Sequence, residues 1–143
     1  MSKSTFQYAE IMDSLVVNCP PTEFYNQETI AFRWVFEKIE DEENFLPQYF
    51  KNPPRFQNSP PSIKCQSVGL SFFHTEQDAV HRFQILTARM AEKVRNKIGK
   101  NVAKGKLDKS DGECNKPDTK GHFTFHPYKD SAFANNFQIT QKL

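Results

Sequence analysis

The chain has 143 residues, with 19 Lys and Arg against 17 Asp and Glu, 37% hydrophobic residues, and 9 prolines against only 5 glycines. A chain of this size buries one core but hardly two, so residues 1–143 read as a single domain. Its apolar runs extend only a few residues, far short of the roughly 20 that span a bilayer, and this excludes a membrane-crossing helix.

The start, MSKSTFQYAEIMDS, lacks the basic-then-apolar order of a secretory leader. Residues 1–5 are expected to fray. The segment from Ser4 to Val17 is apolar at Phe6, Ile11, Leu15, Val16 and Val17 without deciding between helix and strand, and Pro20-Pro21 end it. Thr29–Glu37 alternates Ile30, Phe32, Trp34 and Phe36 with Ala31, Arg33 and Val35, the mark of a strand. After the acidic run Glu37–Glu43, the prolines within residues 44–62 predict a long extended connection. Ile63–Phe73 again has period two, with Val68, Leu70 and Phe72 opposite Cys65, Ser67, Gly69 and Ser71. That second face is bare enough to admit a ligand or another backbone.

Thr75, with Asp78 three residues on, predicts the cap of a long amphipathic helix at about Glu76–Ile98. Its stripe is Ala79, Phe83, Leu86, Met90, Val94 and Ile98, and Gly99 stops it. Val102–Leu107 reads as a short strand, Asp108–Lys120 as a loop, and Gly121–His126 as a strand. A last strand is expected around Phe133 or Phe137 with Ile139, and 140–143 should fray. The sum is an α+β fold, a small mixed, mostly antiparallel sheet with one long helix packed on it.

Fourteen phenylalanines argue for a packed core. Cys19, Cys65 and Cys114 are an odd, sparse set that reads as reduced thiols, with Cys65 packing as a small apolar residue. With no leader and no span, this points to the cytoplasm. His122 and His126 have ligand-like spacing, but on a strand rising about 3.3 Å per residue their rings start roughly 13 Å apart, too far to share a zinc. They are read as polar residues on an outer strand face, and no metal is expected.

The near-neutral total hides two poles. From Lys93 to Lys109 seven cations face one aspartate, a net of plus six, and Glu37–Glu43 carries minus four. Lys93, Arg95, Lys97 and Lys100 are therefore candidate anion ligands, able to hold phosphates of a nucleotide, lipid or nucleic acid.

A strand bearing Arg33, then a strand with Ser67 and Ser71, then a helix with Ala79 and Phe83 is loosely similar in order to the first half of ADP-ribosyltransferase-like folds. The resemblance covers about Ile30 to Phe83. It implies that Arg33 contacts a dinucleotide and that the serine strand supports a nicotinamide pocket. The chain departs from that pattern in having no glutamate in a late strand, where His122, His126 and Gln138 stand instead.

The leading expectation is a small cytoplasmic interaction or accessory module that binds a protein or phosphate-bearing partner, needs no cofactor and performs no chemistry of its own. The alternative is an enzyme handling NAD or another nucleotide, with a site around Arg33, Ser67, Ser71, His122 and His126. A third is nucleic-acid binding along Lys93–Lys109. The first two differ in geometry, because only the enzyme needs a concave pocket joining Arg33 with Ser71 and His122 or His126.

Overall fold

A computed structural model of the chain describes residues 5–143. The chain enters through a short helix, α1 (Ala9–Ser14), and a loop that leads to strand β1 (Thr29–Val35). Three short helices follow, α2 (Gln48–Lys51), α3 (Pro53–Phe56) and α4 (Pro61–Ser67), then strand β2 (Leu70–Phe73). Helices α5 (Glu76–Thr87) and α6 (Glu92–Arg95) lead to strands β3 (Asn101–Leu107), β4 (Gly112–Cys114), β5 (His122–Pro127) and β6 (Gln138–Lys142). The strands form one sheet in the order β4-β5-β2-β1-β3-β6, every adjacent pair antiparallel. The class is α+β. No described helix is long and apolar enough to cross a membrane.

Alternation sends the aromatic residues to two faces. One face carries Ala31, Val35, Leu70, Phe72, Ala103, Leu107, Phe123 and Phe125 and is closed by Phe133, Phe137 and Phe45. The other presents Phe32, Phe73 and Val102, with Trp34 beside them, to α5. Helix α5 lays Ala79 and Phe83 on that face, the Phe83 ring meeting Trp34 edge-on at 5.4 Å, and the indole N–H donates to the Ala79 carbonyl at 2.8 Å. Burying a side chain such as Phe83 stabilises the fold by about 2–3 kcal/mol. Thr75 caps the helix, its Oγ1 accepting the Asp78 backbone N–H at 3.1 Å.

The helix is not the single rod predicted for Glu76–Ile98. It stops at Thr87, whose hydroxyl donates back to the Phe83 carbonyl at 2.7 Å, and Ala91 is already extended before α6. A straight helix over those 23 residues would carry the chain about 34 Å away, whereas β3 must return to pair Asn101 with Val35. The far half of the predicted stripe is only partly covered: Leu86 and Val94 are 40% and 46% exposed, and Met90 and Ile98 are half-buried.

Other expectations also give way. The proline stretch is helical rather than extended, because prolines 53 and 61 occupy the first turns of α3 and α4, where no N–H is required. The predicted strand from Ile63 contracts to β2, since residues 61–67 coil into α4. Residues 112–114 pair with β5 rather than looping, and residues 140–142, expected to fray, belong to β6 on the edge of β3. Residues 1–4 lie outside the described residues. Cys19 and Cys65 are joined by a disulfide, so two of the three presumed thiols are not free, and the cysteine argument for a reducing compartment falls. His126, expected on an outer face, is 1% exposed because α4 and the loop carrying Phe24 cover that end of β5.

Candidate anion-binding cleft

Strands β1 and β2 meet at one register pair, Phe32 with Phe73, and diverge beyond it. Arg33 fills the opening. It is 8% exposed, and its guanidinium donates from Nε to the Asn44 carbonyl and from Nη1 to the Ser71 carbonyl, both at 2.7 Å. Its carbon stands 5.6 Å and 5.9 Å from the Phe72 and Phe45 ring centroids. Asn44 is itself pinned, its Oδ1 accepting the Phe36 N–H at 2.6 Å and its Nδ2 donating to the Lys38 carbonyl at 2.7 Å. A guanidinium has five N–H donors, and two are used, so the Nη2 group makes no protein hydrogen bond among the described residues. Among the described residues no carboxylate pairs with Arg33. Burial pulls its pKa down to about 10, which leaves it protonated at neutral pH.

Arg33 lies in the wall of a cleft of about 700 Å³. One side is built by α2 and α3, which contribute Lys51 and Arg55, and the other by α5 and the chain after α6, which contribute Arg82 and Lys97. Ser71 and Phe73 line it from the sheet and Gly69 from the turn before β2, with Lys120 and His122 also in the lining. Six Lys or Arg side chains thus surround the space, against one carboxylate, Asp118. None of the six forms an ion pair among the described residues.

The electrostatics show the strain of this arrangement. Burial, and then the charge of Arg33, push Lys51 down to about 8, against weaker support from Glu43 and Asp41. Its ammonium sits 5.4 Å from the Phe36 ring centroid. Burial lowers the His122 pKa, with Arg82, Arg33 and Lys120 adding to the effect against Asp118. Burial works to raise the Asp118 carboxyl, but the backbone N–H groups of His122 and Lys120, donating at 3.0 and 2.9 Å, hold it lower. Asp118 thus stays ionised, shapes its own loop and stands with Oδ2 4.0 Å from His122 Nδ1, a single negative charge against the six cations.

The fold brings Arg33, Ser71 and His122 into this one cleft and leaves two of the sequence-picked residues outside it. Ser67 is buried and donates to the Lys64 carbonyl at 2.7 Å, and His126 belongs to a separate small cavity with Cys65 and Thr124. The four basic candidates part company: Lys97 lines the cleft, Lys93 and Arg95 stand on exposed α6, and Lys100 faces Glu37, Asp41 and Glu43 in another depression. Cys114 is buried and unbonded to sulfur. Burial and the charge of Glu113 push its thiol up to about 11.

Lys51, Arg55, Arg82 and Lys120 are cleft residues that the sequence did not single out. Lys51 and Arg55 flank Pro53-Pro54 at a spacing of four, a faint local sign, but nothing local relates them to Arg33. No protein-family model, curated protein or solved structure matches this chain.

Proposed function

We propose that this protein is a binding module for a small phosphate-bearing ligand, which it holds in the cleft between α2–α3 and α5 as an accessory factor rather than as a catalyst. The observation that carries this reading is Arg33, a buried cation with free donors and no carboxylate, ringed by further unpaired cations. Burying a charge without a partner costs several kcal/mol. A bound phosphate removes that cost, accepts from the guanidinium and relieves the repulsion between Arg33 and Lys51. The volume falls within the roughly 300–1,000 Å³ of ordinary small-molecule sites. Phe73, Leu86 and Met90 provide an apolar flank for a base or ring beside the charged end.

Calorimetric titration with inorganic phosphate, ADP and NAD tests this reading. Binding of at least one is expected, weakening as salt rises, with Arg82→Ala and Lys120→Ala each losing about tenfold in affinity. No heat and no thermal shift with any of the three at millimolar concentration would refute it.

The second reading, an enzyme that handles NAD, is favoured by one fact: Arg33, Ser71 and His122 line the same cleft. NAD is the cofactor only under this reading, and Asp118 would have to take the part of the missing strand glutamate. Release of nicotinamide from NAD, abolished in Asp118→Asn, distinguishes it from simple binding.

A further inference from the structure

On the far side of Gly69 from the cleft, a second cluster has chemistry that the phosphate site does not use. The Cys19 and Cys65 sulfurs and a ring nitrogen of His126 all lie within 4.8 Å of one another. His126 is 1% exposed, and neither of its nitrogens has a hydrogen-bond partner among the described residues. A buried imidazole with both nitrogens unpaired costs the full desolvation of those groups. Phe24 and Phe6 pack against its ring, with centroids at 5.3 and 6.3 Å, so the ring is held toward the sulfurs without being satisfied there.

We propose that the disulfide is the closed state of a zinc site, and that reduction of Cys19–Cys65 opens a Cys2His centre for Zn²⁺ with His126 as the third ligand. A dithiol reductant supplies two electrons and two protons to the S–S bond, becomes a disulfide itself, and leaves two cysteine thiols. Zinc then binds both sulfurs as thiolates, releasing two protons, and takes a lone pair from the imidazole. Tetrahedral zinc, with bonds of about 2.3 Å to sulfur and about 2.0–2.1 Å to nitrogen, needs ligand atoms roughly 3.6–3.8 Å apart. The two Cα atoms are 5.7 Å apart and the three ligand atoms lie within 4.8 Å of one another, so the sulfurs need to move apart and the nitrogen gap to close by about an ångström. The fourth position opens on a cavity of about 250 Å³ lined by Glu23 and Asn115, with room for a water.

Access is through Cys19, the more exposed of the two half-cystines, on a loop without regular structure. That loop is fastened to α4 by the disulfide, to β5 by Phe24 on His126, and to β4 by backbone pairing of Tyr25 with Cys114. A metal in the reduced protein restores the first of these fastenings, so the loop stays clamped in either redox state. Zinc suits the donor set, two thiolates and a neutral imidazole, better than a hard oxygen-seeking cation does.

The test uses the full chain, reduced with a phosphine under argon, desalted and titrated with Co²⁺ and then Zn²⁺. One Co²⁺ per chain is expected, with thiolate-to-cobalt charge transfer in the near ultraviolet and the intense visible bands of a tetrahedral site, both displaced by Zn²⁺. The oxidised chain should show neither. His126→Asn should weaken binding at least ~100-fold, and Cys114→Ala should leave it unchanged. A reduced, folded wild type without the spectrum, or a spectrum indifferent to His126→Asn, overturns the proposal. If reduction unfolds the chain, Zn²⁺ must restore its circular dichroism, and failure to do so overturns the proposal equally.

Discussion

Lys51 is the residue whose ionisation reports most directly on the cleft. Its folded pKa of about 8 lies below the ordinary 10.5, so the folded state disfavours the proton and Lys51 lowers stability below about pH 8. That cost fades as pH rises from about 8 toward 10.5. A phosphate in the cleft reverses the balance. Binding at pH 8–9 should therefore take up a proton, read as a dependence of the calorimetric heat on buffer ionisation enthalpy, and Lys51→Met should abolish it while weakening affinity. His126 works in the acid range. Burial holds it near 4 against an ordinary 6.5, so its contribution is complete above about pH 6.5 and is lost as pH falls toward 4. The loss amounts to about 3 kcal/mol. Urea midpoints at pH 7 and 4.5 should show it, and His126→Gln should flatten most of the difference.

Among the elements, α5 and β2 frame the cleft, and each depends on one small feature. Thr75→Ala removes the cap of α5 and should cost about 1 kcal/mol in chemical denaturation. In the turn before β2, a Cβ on Gly69 would stand 2.6 Å from Thr124 Cγ2, 3.0 Å from His126 Cε1 and 3.2 Å from the Phe125 carbonyl. Gly69→Ala should therefore destabilise by about 1–3 kcal/mol and disturb both the cleft wall and the His126 pocket, because backbone on one side cannot yield. The bare serine-glycine face inferred from the sequence exists in shortened form, as Gly69 and Ser71. Its upstream portion, Cys65 and Ser67, lies in α4, whose first turn Pro61 occupies without needing an N–H.

For the whole molecule, the disulfide links residues 46 positions apart, tying the entry loop to α4 across β1 and the proline helices. By loop-closure entropy a bridge of that span stabilises by roughly 2–4 kcal/mol. Metal-free reduction should lower the melting temperature accordingly, and the loop carrying Phe24 should gain hydrogen exchange first. The acidic run borders the basic cleft, Glu43 and Asp41 acting on Lys51, without lining it. Its turn is held by Asn44, and it offers Glu37, Asp41 and Glu43 to Lys100. The two poles thus meet at Lys100 and act on each other at Lys51, while the cleft lining itself holds six cations against Asp118.

The amino-acid order alone pointed to strands at 29–37, 102–107 and 121–126, which the fold holds as β1, β3 and β5 with ends shifted by one or two residues, and to the start of α5 at Thr75. Alternation and capping are local and act over a few residues. Tertiary structure decided where α5 ends, because the chain must double back to place β3 beside β1. It also decided which cations surround Arg33 and which cysteines pair. Lys51, Arg82 and Lys120 converge on Arg33, and Cys19 meets Cys65 beside His126, only through the order β4-β5-β2-β1-β3-β6, which long-range packing selects and no local pattern encodes.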